Sequence, residues 1–87
     1  MKSKNKFLAE HAKIALIINK IKRSKYISEF KKIYDEYVDD RDPINSAVRF
    51  HLASFSHTPK KILELLAKDK DNYVRTAAIK NIKLKNK

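Results

Sequence analysis

The sequence predicts an all-α fold made of five helices in a single domain. Apolar residues recur at intervals of three and four along successive segments, which is the period of an amphipathic helix. No segment shows sustained alternation of apolar and polar residues, and a chain with no glycine cannot form the Asn-Gly or Asp-Gly turn of a tight hairpin. A length of 87 residues suits one domain with a small core.

Two helices are expected in the N-terminal part of the chain. Phe7, Ile14 and Ile21 recur every seven residues, and with their apolar neighbours they mark one stripe of a helix over about residues 5–23. A second helix is expected from about Tyr26 to Val38, where aromatic and aliphatic residues follow the same spacing. Acidic residues are concentrated in its C-terminal half, which is the wrong sign for the helix dipole. Packing of its apolar face must therefore hold this helix.

Three further helices are expected, and each begins at a recognisable start signal. Asp42-Pro43 and Thr58-Pro59 each join a residue that caps helices to a proline that suits the first turn. The leucine-rich helix after Thr58-Pro59 is expected to be short and to end near Asp69. Asp71 or Asn72 is expected to cap the last helix.

The second half of the chain contains a repeat. Val48-Arg49 recurs as Val74-Arg75 after 26 residues, with a Thr-Pro start, a leucine-rich helix and an Asp-Lys-Asp turn between them. This order of parts resembles the variant leucine-rich repeat, a helical relative of the HEAT repeat, over about residues 42–84. His51 and Phe55 depart from the family's pattern in the upstream half-unit. The residues that match are Thr58-Pro59, Ile62–Ala67, Asp69–Asp71, Val74–Ala78 and Asn81.

The resemblance implies a right-handed, α-solenoid-like stack of five helices of the HEAT or variant leucine-rich repeat type. One repeat cannot bury its apolar face alone, so the first two helices are expected to cap the stack. The expected division is a basic N-terminal helical hairpin over residues 1–40, repeat-like helices over 41–84 and a basic tail over 85–87. Repeats of this kind imply a binding surface and no particular chemistry.

Composition excludes several classes of site. A chain without glycine has no glycine-rich phosphate loop, and a chain without cysteine has no disulfide, thiol nucleophile or cysteine-ligated metal. The longest apolar run, from Ile14 to Ile18, is too short for a signal peptide core or a membrane-spanning helix. We therefore expect a cytoplasmic protein.

No arrangement of residues indicates catalysis. His11 and His51 are expected to be structural residues on apolar helix faces, and His57 a solvated loop residue. No two histidines have the i,i+4 spacing of a metal site, and no known signature surrounds Ser54 or Ser56. We expect a non-catalytic protein with no metal and no cofactor.

The distribution of charge is the main functional signal. The formal net charge is +11, from 21 Lys and Arg against 10 Asp and Glu. Residues 1–34 hold ten basic and two acidic residues, residues 35–71 hold six and eight, and residues 72–87 hold five basic and none acidic. Both ends of the chain are therefore basic and the middle is not.

Clustered lysines at the two ends are typical of a face that binds nucleic-acid phosphates. The expected DNA- or RNA-binding residues are Lys6, Lys13, Lys20, Lys22, Arg23, Lys25, Lys31, Lys32, Lys80 and Lys83. This set holds a single arginine, the usual reader of guanine, so little base readout is expected. Tyr26 and Tyr34 could stack on unpaired bases, but their helical spacing favours the edge of the core. Ten Ile, seventeen Lys and six Asn also fit an AT-rich coding bias, in which lysine serves solubility alone.

The alternative hypothesis is an adaptor that binds an acidic protein through the repeat surface. Its expected contact residues are Arg49, Lys60, Lys61 and Arg75. A structural role for the two arginines competes with this hypothesis, because each can bond an acidic turn, and Asp71 is an i,i+4 partner of Arg75. A membrane surface is disfavoured because the apolar face of the first helix is expected in the core. The sequence leaves the oligomeric state open.

Overall fold

Five α-helices make up the fold. The structure is a computed structural model that describes residues 2–86, with side chains described for residues 12–86. The helices are α1 (Lys2–Arg23), α2 (Ile27–Glu36), α3 (Ile44–Ser54), α4 (Lys60–Leu66) and α5 (Asn72–Lys85), and no strand occurs in this part of the chain. The prediction of an all-helical fold with five helices is confirmed.

The five helices pack in a limited number of pairs. Helix α5 packs against α3 and α4, α1 packs against α3, and α2 packs against α4. Helices α3 and α4 also contact each other. The two helices expected to form an N-terminal hairpin therefore make their larger contacts with α3 and α4.

One apolar core joins the five helices. Phe30 and Ile33 of α2, Leu52 of α3 and Leu63 of α4 are at most 2% exposed. Burying side chains of this size contributes about 1.5–3 kcal/mol each. The remaining buried apolar residues among those described are Ile17, Ile21, Val48, Ala53, Ile62, Leu66, Val74 and Ala78.

The aspartates predicted at the starts of α5 and α3 both accept an amide there, but only Asp71 is itself the cap residue, since Pro43 holds that position in α3. Asp71 Oδ1 accepts the amide N–H of Tyr73 at 2.8 Å and of Val74 at 3.3 Å, which satisfies two donors of the first turn of α5. Asp42 Oδ1 accepts the amide of Ile44 at 3.1 Å at the start of α3. The capping prediction is wrong for Thr58.

Thr58 stabilises the preceding helix instead of capping α4. Its side chain is fully buried, and Oγ1 donates to the carbonyl of Leu52 at 2.7 Å. Asn81 of α5 acts similarly, since its Nδ2 donates to the carbonyls of Ala53 at 3.0 Å and Phe55 at 2.8 Å. Carbonyls at a helix C-terminus have no partner within the helix, so these side chains satisfy the end of α3.

His57 is an exposed loop residue, as expected, and its ring also makes contacts within the molecule. Its Nε2 lies 3.1 Å from the carbonyl oxygen of Ile21, near the end of α1. Its ring meets those of Phe30 and Phe55 edge to face, with centroids 5.6 and 5.4 Å away. The loop between α3 and α4 is thereby held against α1 and α2.

Arg49 is the most buried charged residue of the described chain. The side chain has no exposed surface, and its five N–H groups all find acceptors within the molecule. Nε donates to Asp69 Oδ2 at 2.8 Å and Nη2 to Asp69 Oδ1 at 3.3 Å, while Nη2 also lies 2.8 Å from Asp40 Oδ1. Nη1 donates to the carbonyls of Tyr37 at 2.8 Å and Val38 at 3.4 Å.

The same guanidinium ends α2 two residues before the predicted boundary. Helix α2 ends at Glu36, and the carbonyls that follow it point at Arg49 and do not continue the helix. A buried cation at a helix C-terminus also offsets the unfavourable acidic residues there. Arg49 therefore joins three segments: the end of α2, the loop before α3 and the turn between α4 and α5.

Removal of the Arg49 guanidinium is expected to lower the free energy of unfolding by about 3–5 kcal/mol, because it leaves the buried carboxylate of Asp69 without its counter-charge and two carbonyls without a donor. The substitution is Arg49→Met, and the measurement is urea unfolding followed by far-UV circular dichroism. The matched control is Arg41→Met. Arg41 is 92% exposed and pairs with Asp39, so its replacement is expected to cost less than about 1 kcal/mol. Equal destabilisation of the two variants would contradict this prediction.

Candidate nucleic-acid interface

Three of the predicted phosphate-binding residues meet at one groove between α1 and α2. Lys20 and Arg23 reach it from α1, and Lys32 reaches it from α2. The groove has a volume of about 340 Å³. It is lined by Leu16, Asn19, Lys20, Arg23, Ser24, Glu29, Lys32 and Ile33.

The helix positions explain why these cations meet. Lys20 and Arg23 are three residues apart and so lie on one face of α1. Lys32 follows Phe30 on α2, and because Phe30 is held in the core, Lys32 is directed away from it. Ser24 ends α1 by donating from Oγ to the carbonyl of Lys20 at 2.8 Å, which fixes the last turn that carries both α1 cations.

The one carboxylate in the groove is already bonded to backbone. Glu29 Oε1 accepts the amides of Lys25 and Tyr26, both at 2.9 Å, at the start of α2. The hydrogen bond from Lys25, followed by the one from Tyr26, holds the pKa of Glu29 below its ordinary value. Among the residues with described side chains, no carboxylate lies within 4.0 Å of the Lys20, Arg23 or Lys32 charge.

The other predicted residues of the N-terminal set lie around this groove or outside it. Lys22 and Lys25 are exposed. Lys31 lies on the opposite flank of α2, paired with Asp35 at 2.6 Å. Lys13 lines a separate hollow beside the loop that leads into α3. Lys6 lies outside the residues whose side chains the structure describes.

The two C-terminal members of the set lie on a different part of the surface. Lys80 lines a groove between α3 and α5, and Lys83 is exposed on α5. The predicted set is therefore divided between the α1–α2 groove, the flanks of α1 and α2, and α5.

Most described carboxylates are used inside the loops. Asp39 pairs with Arg41, and the hydrogen bonds from that residue's amide and then its side chain lower the pKa of Asp39. Asp40 lies between Arg49 and Lys70, whose hydrogen bonds lower the pKa of Asp40. These acidic groups stand in the two loops at one end of the molecule, so they do not balance the cations of the α1–α2 groove.

The four residues of the alternative, partner-binding set are not brought together. Arg49 is fully buried and its donors are all used, so it is not available to a partner and the prediction of a contact role for it is wrong. Lys60 Nζ bonds Asn86 at the C-terminal end of α5, at 3.3 Å. Lys61 lines a hollow between α2 and α4, and Arg75 lies at the N-terminal end of α5.

The exposed aromatic residues were only partly anticipated. Tyr34 packs against the core, as predicted, but Tyr26 is 70% exposed because it stands just before the first turn of α2. Tyr73, Phe50 and Leu84 are also exposed and line the α3–α5 groove, which has a volume of about 620 Å³. Helical spacing gave no sign of this groove, because its two walls belong to helices separated by a loop and a third helix.

Comparison of this chain with known protein families, with curated protein sequences and with solved structures found no match. No helix in the described part of the chain combines the length and the apolar character that crossing a membrane requires. Over the same residues, no three His, Asp or Glu side chains lie close enough together to hold a metal ion.

The lowered pKa of Glu29 predicts a contribution to acid sensitivity. When the folded pKa lies below the unfolded one, the stabilisation is complete above the unfolded value and is lost as the pH falls through the folded value. The ordinary value is 4.5, so the loss is expected below that pH. The melting temperature of Glu29→Gln should fall less than that of the unmodified protein between about pH 6 and pH 3.

The matched control for this measurement is Glu64→Gln. Glu64 is exposed on α4 and accepts no hydrogen bond from the described residues. Its replacement removes the same charge as Glu29→Gln without removing a hydrogen bond, so it separates the effect of the two amide contacts from that of net charge. An identical pH dependence for Glu29→Gln and the unmodified protein would show that the two amide contacts do not stabilise α2.

Proposed function

We propose that this protein is a non-catalytic module that binds nucleic acid through backbone phosphates. The observation that carries the proposal is the meeting of Lys20, Arg23 and Lys32 around one groove. No described carboxylate lies within 4.0 Å of their charges, and Glu29, the one carboxylate of the groove, is bonded to backbone amides. A cytoplasmic location remains a prediction from the sequence.

The chemistry of the groove suits phosphate and does not suit base recognition. Lys20 and Lys32 supply mobile point charges, and Arg23 supplies a planar fork that bonds two phosphate oxygens. Neutralising phosphates releases counterions, which favours binding at low salt and does not depend on base sequence. With one arginine at the groove, binding should be similar for different sequences.

The packing of the last three helices supports the helical-repeat hypothesis. Helices α3 and α5 each contain the repeated Val-Arg and pack against each other, and α4 lies between them along the chain and packs against both. In this proposal α1 and α2 precede the repeat unit and present the basic groove.

An adaptor that binds an acidic protein is the second candidate function, and helix α5 favours it. Residues 72–87 hold five basic residues and no acidic residue. Three large apolar side chains of α5, those of Tyr73, Ile79 and Leu84, are between 43% and 76% exposed. Cationic and apolar groups together suit a protein partner better than a phosphate backbone.

Neutralising the groove is expected to weaken nucleic-acid binding by at least about tenfold at low salt. The variant carries Lys20→Gln, Arg23→Gln and Lys32→Gln, and binding is measured by fluorescence anisotropy with a labelled duplex and a single strand of the same sequence. The slope of log K against log salt should also fall by about 0.9 for each duplex phosphate that the variant no longer neutralises.

The control variant carries Lys60→Gln, Lys61→Gln and Lys68→Gln, which removes the same charge from α4 and the turn after it. Its affinity should stay close to that of the unmodified protein. An equal fall in affinity for the two variants would mean that net charge alone attracts nucleic acid. No binding at about 50 mM salt and micromolar protein would remove the proposal.

A further inference from the structure

The two arginines of the repeat make the same contacts with the turn that precedes them. Arg49 Nη1 donates to the consecutive carbonyls of Tyr37 and Val38. Arg75 Nη1 donates to the consecutive carbonyls of Asp69 and Lys70, at 2.8 and 2.9 Å. The repeated Val-Arg therefore has one structural meaning in both places: the guanidinium closes the turn that leads into its own helix.

The two arginines differ on the side that faces away from that turn. Arg49 Nε donates to the carboxylate of Asp69, which belongs to the turn one unit further along the chain. Arg75 Nη2 bonds Asn72 Oδ1 at 3.2 Å, and Arg75 Nε has no acceptor among the described residues. The Nε–H group of Arg75 is therefore equivalent to the Nε–H group that Arg49 donates to the carboxylate of Asp69.

The apolar neighbours of the two arginines differ in the same way. Ala53 lies one turn after Arg49, on the same face of α3, and is fully buried. Ile79 holds the equivalent position on α5 and is 43% exposed. Helix α3 packs against α1, α4 and α5, whereas α5 packs against α3 and α4, the two helices that precede it. Arg75 and Ile79 together define an open edge of α5, which we call the α5 edge.

The charge of α5 limits what can cover this edge. Its other charged residues are Lys80, Lys83 and Lys85, and it holds no acidic residue. A second copy of the chain would bring a further net charge of +11, so self-association is electrostatically disfavoured. An acidic partner is favoured by the charge and supplies the missing carboxylate.

We propose that the α5 edge binds a helical segment of an acidic protein partner, which places a carboxylate on Arg75 Nε and an apolar side chain on Ile79. This arrangement reproduces across an interface the contacts that Asp69 and its neighbours make with Arg49 within the chain. The inference rests on the second candidate function, adaptor binding, and is independent of nucleic-acid binding at the α1–α2 groove.

The probe for this proposal is a labelled synthetic peptide that copies residues 59–74, the helix and acidic turn that cover Arg49. In the peptide the lysines at positions 60, 61, 68 and 70 are replaced by glutamate to make it acidic. Binding to the full chain is measured by fluorescence anisotropy, and half-saturation is expected below about 1 mM. A control peptide that also carries Asp69→Asn should bind about tenfold more weakly, because it cannot supply the carboxylate.

A spectroscopic readout tests the contact itself. In ¹⁵N–¹H correlation spectra the Arg75 Nε–H cross-peak is expected to move when the peptide is added, while that of the buried Arg49 stays in place. The substitution Ile79→Glu should weaken peptide binding about tenfold. This substitution leaves the backbone bonds of Arg75 intact, so it tests the edge even if Arg75→Gln unfolds the chain.

The matched control variant is Tyr73→Glu, which adds the same charge at a residue 76% exposed on the opposite flank of α5. It should leave peptide binding unchanged. If Tyr73→Glu weakens binding and Ile79→Glu does not, the partner occupies the α3–α5 groove, and the inference fails while the adaptor function stands. Absence of peptide binding at about 1 mM would remove both.

Two further outcomes would overturn the inference. If Ile79→Glu leaves peptide binding intact and weakens binding of a short oligonucleotide, the α5 edge belongs to a nucleic-acid surface. If the chain forms a dimer by sedimentation velocity that Ile79→Glu disperses, the edge is covered by a second copy.

Discussion

The buried guanidinium of Arg49 is the constraint on which the rest of the structure depends. Removing a charge from water is costly, and the cost is offset only when every donor has an acceptor in the right place. Arginine meets this condition because its planar fork directs five N–H groups in fixed directions, which an ammonium group does not. The loop after α2 and the turn before α5 must therefore both adopt one arrangement before Arg49 can be buried.

The use of carboxylates in contacts with Arg49 and with helix starts also affects the charge of the surface. The chain has few carboxylates, and Arg49 together with the helix starts occupies several of them. Glu29 is held by two backbone amides for a similar reason. Among the described side chains, none of these carboxylates lies within 4.0 Å of the charges of Lys20, Arg23 or Lys32. The positive face between α1 and α2 is thus a consequence of how the acidic residues are used, as well as of how many lysines there are.

The helices could be predicted from the sequence because their signals are local. Spacing of apolar residues reports one face of one helix, and Asp71 caps α5 through amides two and three residues away. The hydrogen bond of Thr58 could not be predicted in this way, because its hydroxyl donates to the carbonyl of Leu52 in the preceding helix. The α1–α2 groove is also non-local: the charge distribution identified Lys20, Arg23 and Lys32 as candidates, but only the approach of two helices shows that these three meet and that Lys31 does not join them.

The two copies of Val-Arg share one local contact and differ in a second contact that is not local. In both copies the arginine closes its own turn, which is the part that neighbouring residues determine. Whether its remaining N–H meets a carboxylate depends on what lies one unit further along. For Arg49 that is Asp69, and the residue is buried; for Arg75 the described chain provides none, and the residue stays partly exposed. The unbonded Nε–H of Arg75 and the exposed side chain of Ile79 cost little free energy while they are in water. In our proposal, a carboxylate of the partner bonds this N–H, and that contact contributes to the free energy of binding. Phosphate and carboxylate both suit a cation, so charge alone does not separate this edge from the α1–α2 groove. The exposed Ile79 beside Arg75 is the feature on which our proposal of a protein partner rests.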